Sequence, residues 1–172
     1  MWETAHQDEF GVPPRAITDR TVEVARESDY DRLIAHYMQP HIPYIADAIE
    51  EDRSLTDVEA GGWKLLESDD VTRDEVWELY EETLRFVLDD VEVLLENIDA
   101  ENVVITADHG NAFGEYSIYG HPEGMILPTI KKVPWISSTA TDEETFSPSG
   151  MHAESQREKT NIEDHLRDLG YV

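Results

Sequence analysis

"NVVITADHGNAFGEYSIYGH", Asn102 to His121, is the stretch that decides what fold this chain can have. An apolar run such as "NVVIT" is built like a buried strand, and a buried strand seldom ends in a charged pair. Here it passes through Ala107 into Asp108-His109-Gly110, and a further histidine, His121, follows twelve residues after His109 in a loop rich in glycine. Ligands of open α/β sheets gather at the carboxyl ends of strands, where Asp108 and His109 fall. A carboxylate oxygen beside an imidazole nitrogen can bind a divalent cation. Gly110 lets the backbone turn sharply. Asp-His-Gly in a turn also has a purely structural use, in capping and turn formation.

Upstream of this strand the pattern is helical. Thr72 and Glu75 form a capping box opening a helix from Arg73 to about Ile98, with Asp74 and Glu75 favoured at its start. Trp77, Tyr80, Leu84, Val87, Val91, Leu94, Leu95 and Ile98 recur at three- and four-residue spacing and predict one buried face. Earlier still, "DRLIAHYM" reads as a strand centred on Leu33 to Tyr37, stopped at "QPHIPY", where two prolines hold the chain extended around His41. His36 lies inside that apolar run, which suits a core histidine. His41 and His121 stand in loops, the better place for a functional role. The intervening "IADAIEEDRSLTDVEAGGWKLLESDD" reads as a short helix and an exposed excursion broken at Gly61-Gly62, and "DRTVEVARES" as a short helix after Pro13-Pro14.

A strand, a long helix and a second strand predict an α/β fold, a mostly parallel sheet flanked by helices. "KKVPWIS" is a third strand candidate, with Pro134 at its start or on an edge. Residues 141–159 read as a polar linker to a short C-terminal helix, capped by Thr160 and Glu163 and lined by Ile162, Leu166 and Leu169. At 172 residues the chain is expected to form a single domain burying roughly 70% of its unfolded surface.

The charge is lopsided: 39 Asp and Glu against 13 Lys and Arg, a net charge of −26, with only four lysines. Such a field repels nucleic acid and anionic membrane, so neither is expected as a partner. Acid spread along the whole length suggests a halophilic surface, suited to a high-salt cytosol. No apolar run reaches the ~20 residues of a membrane span, and the N-terminus has no signal-peptide pattern, so a cytoplasmic protein is expected. The absence of cysteine excludes disulfides, thiolate zinc sites and cysteine nucleophiles.

"IAHYMQPHIPY", "VVITADHGNAFGE", "YGH", "KKVPWI" and the closing "LRDLGYV", in this order, resemble the C-terminal half of the sulfatase branch of the alkaline phosphatase superfamily. The resemblance runs from about residue 30 onward. It implies a metal-dependent hydrolase of sulfate or phosphate monoesters, with Asp108 a metal ligand and His109 a ligand or close contact of the metal. His41 and His121 would contact the transferred group or the leaving oxygen, and His36 belongs to the same motif. The implied cofactor is a divalent ion: calcium, magnesium, manganese or zinc.

The chain departs from that family at its nucleophile. The only P-x-R frame, "GVPPR", puts Gly11 where a reactive side chain belongs, and an N-terminal strand ending in metal-binding aspartates is missing. The chain therefore reads as a domain without its N-terminal half, inactive alone and completed by that half or by another protein chain. The alternative is a non-catalytic acidic α/β module that binds a cation or a partner protein.

Overall fold

The computed structural model describes residues 10–148. The C-terminal helix expected from Thr160 onward lies outside them. Five helices and four short strands follow in order: α1 (Pro14–Glu27), α2 (Ala46–Glu50), α3 (Asp57–Glu67), α4 (Arg73–Leu95), β1 (Ala100–Thr106), β2 (Ala112–Phe113), β3 (Tyr119–Gly120), α5 (Pro128–Lys131) and β4 (Trp135–Ala140). Pro13 caps α1 and Pro14 sits in its first turn, where a missing N–H costs nothing.

The class is mixed α/β, but both ladders are antiparallel. β1 pairs with β4, Val104 opposite Ser137 and Thr106 opposite Trp135; Pro134 precedes β4, where its missing N–H breaks no ladder bond. The expected parallel neighbour of β1 is not among the described residues. Residues 31–38, read as a strand, run without a ladder partner, because β-structure exists only where a second backbone takes up the N–H and C=O groups. The Tyr37 hydroxyl meets Thr18 Oγ1 at 2.9 Å, tying this segment to α1 instead. Of its apolar residues, Leu33, Ile34 and Met38 stand exposed.

Neither face of the sheet is well covered: Val103 and Ile105 are half-buried on one face, but their partners Ser138 and Ile136 are exposed, while Val104, Thr106, Trp135, Ser137 and Thr139 share the opposite face and are all exposed. That open face carries no charge in a chain that is 30% charged.

α4 forms with its capping box as expected: Thr72 Oγ1 accepts from the Glu75 amide, and the Thr72 amide donates back to Glu75 at 2.8 Å. Its buried stripe is Val76, Thr83, Val87, Asp90 and Leu94, so the expected face is rotated and Trp77 is 44% exposed. The rotation follows from α1, which packs on α4 through polar groups that an apolar count passes over. Arg15 Nε lies 2.8 Å from Asp90 Oδ1, and Thr18 Oγ1 donates to Asp90 O. Burial pushes the Asp90 carboxyl up, with Arg15 pulling against it.

The expected exposed excursion broken at Gly61-Gly62 is instead a second capped helix, α3, which runs through both glycines. Glu59 is its key. Its side chain is 2% exposed and accepts both Arg53 guanidinium nitrogens at 2.8 Å. It also accepts the Thr56 amide at 2.6 Å and the Thr56 hydroxyl at 2.9 Å. Burial works to raise this carboxyl, but the Arg53 and Thr56 bonds outweigh it and hold it below its ordinary value. The Glu59 carbonyl takes the Tyr44 amide at 2.9 Å, so the same residue anchors the segment that follows His41.

Glu59→Ala leaves Arg53 without its buried partner and is expected to destabilise the fold by about 3 kcal/mol in urea unfolding. Glu59 titrates lower when folded than when unfolded. Its contribution is therefore complete above its ordinary value of 4.5 and lost as pH falls through the lower folded value, so the gap between variant and wild type should close below that point.

Candidate functional site

Asp108 and His109 leave the end of β1 as expected, and the hairpin β2–β3 explains the histidine twelve residues on. Ala112 pairs with Gly120 and Phe113 with Tyr119, so the strands carry His121 back beside the Asp108–Gly110 turn. The His109 and His121 ring centroids lie 4.0 Å apart, with the planes at 35°. Gly114, at φ 102°, supplies the left-handed residue that the tight connection needs, and its amide donates to Ile118 O at 2.9 Å.

His41 completes the group. Its ring centroid is 5.6 Å from that of His121. The two prolines do not hold it extended: its amide donates to Met38 O at 3.0 Å, closing a turn that ends the segment. His36 is not brought in. It is exposed on the 31–38 segment and makes no ring contact with the other three among the described residues; the core role suggested by its apolar surroundings is not what the structure shows.

Hydrogen bonds assign the imidazole nitrogens. His109 Nδ1 lies 3.0 Å from Gly110 O and His41 Nδ1 2.6 Å from Ile42 O. A carbonyl oxygen only accepts, so each Nδ1 carries the proton and each Nε2 keeps a lone pair when neutral. Asp108 Oδ1 accepts the His109 amide at 2.9 Å, and Asp108 Oδ2 stands 3.6 Å from His109 Nε2. The Asp108 side chain is 71% exposed, so it is open to a ligand or a second polypeptide. His121 is pushed below the usual imidazole value, first by burial and then by the neighbouring His109 and His41.

Gly110 is required for a reason other than its torsions. A Cβ built there would fall 2.1 Å from Thr129 O, because the Gly110 amide donates to Ile130 O at 2.8 Å and draws α5 against the turn.

The residues missed in the sequence are those that hold the histidines. Trp63 of α3 lies 4.7 Å from the Phe113 ring and packs against Gly120, while Trp77 and Tyr80 of α4 lie 5.0 and 5.4 Å from Phe113. The capping box at Thr56 and Glu59, with Trp63 and Leu66 three residues apart, was the signal for α3. Asn111 was also passed over. Its Oδ1 is buried and has no hydrogen-bond partner among the described residues.

The donor set is compatible with a divalent cation: a carboxylate at Asp108, an imidazole lone pair at His109 and the orphaned oxygen of Asn111 next in the chain but one. Among the described residues no three His, Asp or Glu side chains are already arranged to hold a metal ion. No helix among them is long and apolar enough to cross a membrane. No family model, no curated protein and no solved structure matches this chain.

Gly110→Ala is expected to lower stability by about 3 kcal/mol, at the upper end of overpacking costs, and to displace α5; urea unfolding and amide shifts of Thr129 and Ile130 would read both. In a histidine NMR titration His121 should protonate below the ordinary imidazole value, and the double variant His41→Asn, His109→Asn should move its midpoint upward.

Proposed function

We propose that this chain is part of a metal-dependent hydrolase of sulfate or phosphate monoesters, carrying the metal and oxyanion residues but no recognisable nucleophile. The observation that carries this reading is the convergence of His41, His109 and His121, from three separate segments, beside the exposed carboxylate of Asp108. Asp108 and His109 Nε2 would hold a divalent cation, with Asn111 Oδ1, two residues beyond His109, a further oxygen ligand. Calcium, magnesium, manganese and zinc all remain candidates for it. When bound, the cation offsets charge on the tetrahedral group of the ester. His41 and His121 face that group. His41 would donate a hydrogen bond to its oxygens, and His121, pushed below the usual imidazole value first by burial and then by His109 and His41, would stand at the leaving oxygen as a hydrogen-bonding group.

The larger domain is, in this reading, a mostly parallel sheet of the alkaline-phosphatase and sulfatase kind, which the described residues fill only in part. The uncharged open face of β1 and β4, and the unpaired segment 31–38, support completion by an N-terminal half or by another protein chain. That partner brings the nucleophile. A second reading, a non-catalytic acidic module that binds a cation or a partner protein, is favoured by one observation: no three acidic or histidine ligands are yet gathered among the described residues.

Calorimetric titration of calcium, manganese and zinc into the chain at high salt, beside Asp108→Ala and His109→Ala, separates these outcomes. Stoichiometric binding lost in both variants is expected. Binding that is absent, or indifferent to both substitutions, would sink the metal site and with it the hydrolase.

A further inference from the structure

The segment that follows α1 has a backbone with almost nothing bonded to it. Among the described residues, the Met38 carbonyl, which accepts the His41 amide, is the only backbone group between Asp29 and Met38 with a hydrogen-bond partner. Residues 32–38 run with no turn or bend, and none of them has a positive φ. Ile34, His36 and Met38 are exposed while Ala35 and Tyr37 between them are half-buried, the two-residue period of an extended strand. Side chains hold it in place: the Tyr37 hydroxyl lies 2.9 Å from Thr18 Oγ1, and the next residue but one, Gln39, donates from Nε2 to Val12 O at 3.1 Å. Proteins blunt such a free strand with proline or charge, and Leu33 to Met38 contains neither, in a chain that is 30% charged.

We propose that this segment pairs with the same segment of a second copy of the chain, as an antiparallel two-stranded ladder about a twofold axis. Unbonded N–H and C=O groups call for another extended backbone, and an antiparallel copy sets donors opposite acceptors whatever the side chains. Charge chooses the direction. The acid of the segment, Asp29 and Asp31, lies all at one end, so parallel copies would put like carboxylates side by side. With Ala35 opposite Ala35, antiparallel copies hold the two Asp31 residues about 27 Å apart at about 3.4 Å per residue, well beyond the screening length of about 8 Å at physiological salt. That register also makes the two Ile34 side chains, each 80% exposed in the single chain, diagonal neighbours on one face. Two chains of net charge −26 repel over most of their surface, and the uncharged stretch 33–38 is where local repulsion is least. The pairing stands apart from the hydrolase reading: a second copy brings no nucleophile, and it leaves the open face of β1 and β4 free.

The test follows the full chain by sedimentation equilibrium and amide hydrogen exchange over a concentration series, in about 1 M KCl, where the screening length is about 3 Å. The expected mass moves from one chain towards two as the concentration rises to millimolar. In step with it, alternate amides within residues 33–37, which exchange freely in dilute solution, become protected. Ile34→Pro removes an N–H that the single chain leaves unbonded, so it should keep the wild-type far-UV dichroism and hold the mass at one chain. Trp135→Glu, on the open sheet face, should leave the dimer intact. A mass of one chain at millimolar concentration overturns the proposal. So does a dimer whose amides in 33–37 all exchange freely, one that Ile34→Pro leaves in place, or one that Trp135→Glu dissociates.

Discussion

Every histidine of the site hangs on one aromatic cluster. Phe113 is in edge contact with Trp63, Trp77 and Tyr80, and it stands four residues beyond His109. Gly120, against Trp63, immediately precedes His121. Tyr44, which sits edge-on to Tyr80 and is 1% exposed, follows His41 by three residues. The segment holding His41 and the short β2–β3 hairpin between His109 and His121 are thus pinned to the same packed rings. Aromatic pairs in this geometry add about 0.5–1.5 kcal/mol each beyond their buried area, which suits a region with little regular structure to hold it.

The electrostatics of the site follow from that convergence. Three imidazoles so close cannot all carry charge cheaply, and burial disfavours the central one further, which is why His121 is the member pushed down. Gly110 and Ile42 lend their carbonyls to the Nδ1 atoms of two of the rings, orienting them while engaging neither Nε2. In a chain of net charge −26, three imidazoles gathered beside the exposed carboxylate of Asp108 are a local exception to the surrounding composition.

The sheet gives the opposite impression, of an unfinished framework. β1 has the composition of a strand covered on both faces, yet only Ala100, Val103 and Ile105 of it are even half-buried. Val104 and Trp135, 45% and 71% exposed, stand on the open face among uncharged neighbours. Elsewhere the acidic surface is well tied down: Arg26 donates to both oxygens of Asp142, at 2.8 and 2.6 Å, and the buried Asn97 accepts the Phe146 amide at 2.8 Å, fastening the segment after β4 to α1 and α4.

The sequence by itself determined whatever is local. The capping box at Thr72, the long helix after it, the strand ending at Asp108 and the strand after Pro134 are all written in residues a few positions apart, where propensity and hydrogen bonding act directly. It also marked His41, Asp108, His109 and His121 as the residues to watch, and the structure brings these four to one place. Tertiary structure decided what depends on partners far along the chain. Residues 31–38 have strand composition but, among the described residues, no neighbouring backbone paired with them, and the buried stripe of α4 was turned by Arg15 and Thr18, polar residues some 70 positions away. The need for glycine at position 110 came from Thr129, and the helix around Trp63 formed because Glu59 found Arg53 and Thr56 at once. These are contacts between groups that no short window contains, so they were settled only when the chain had folded around them.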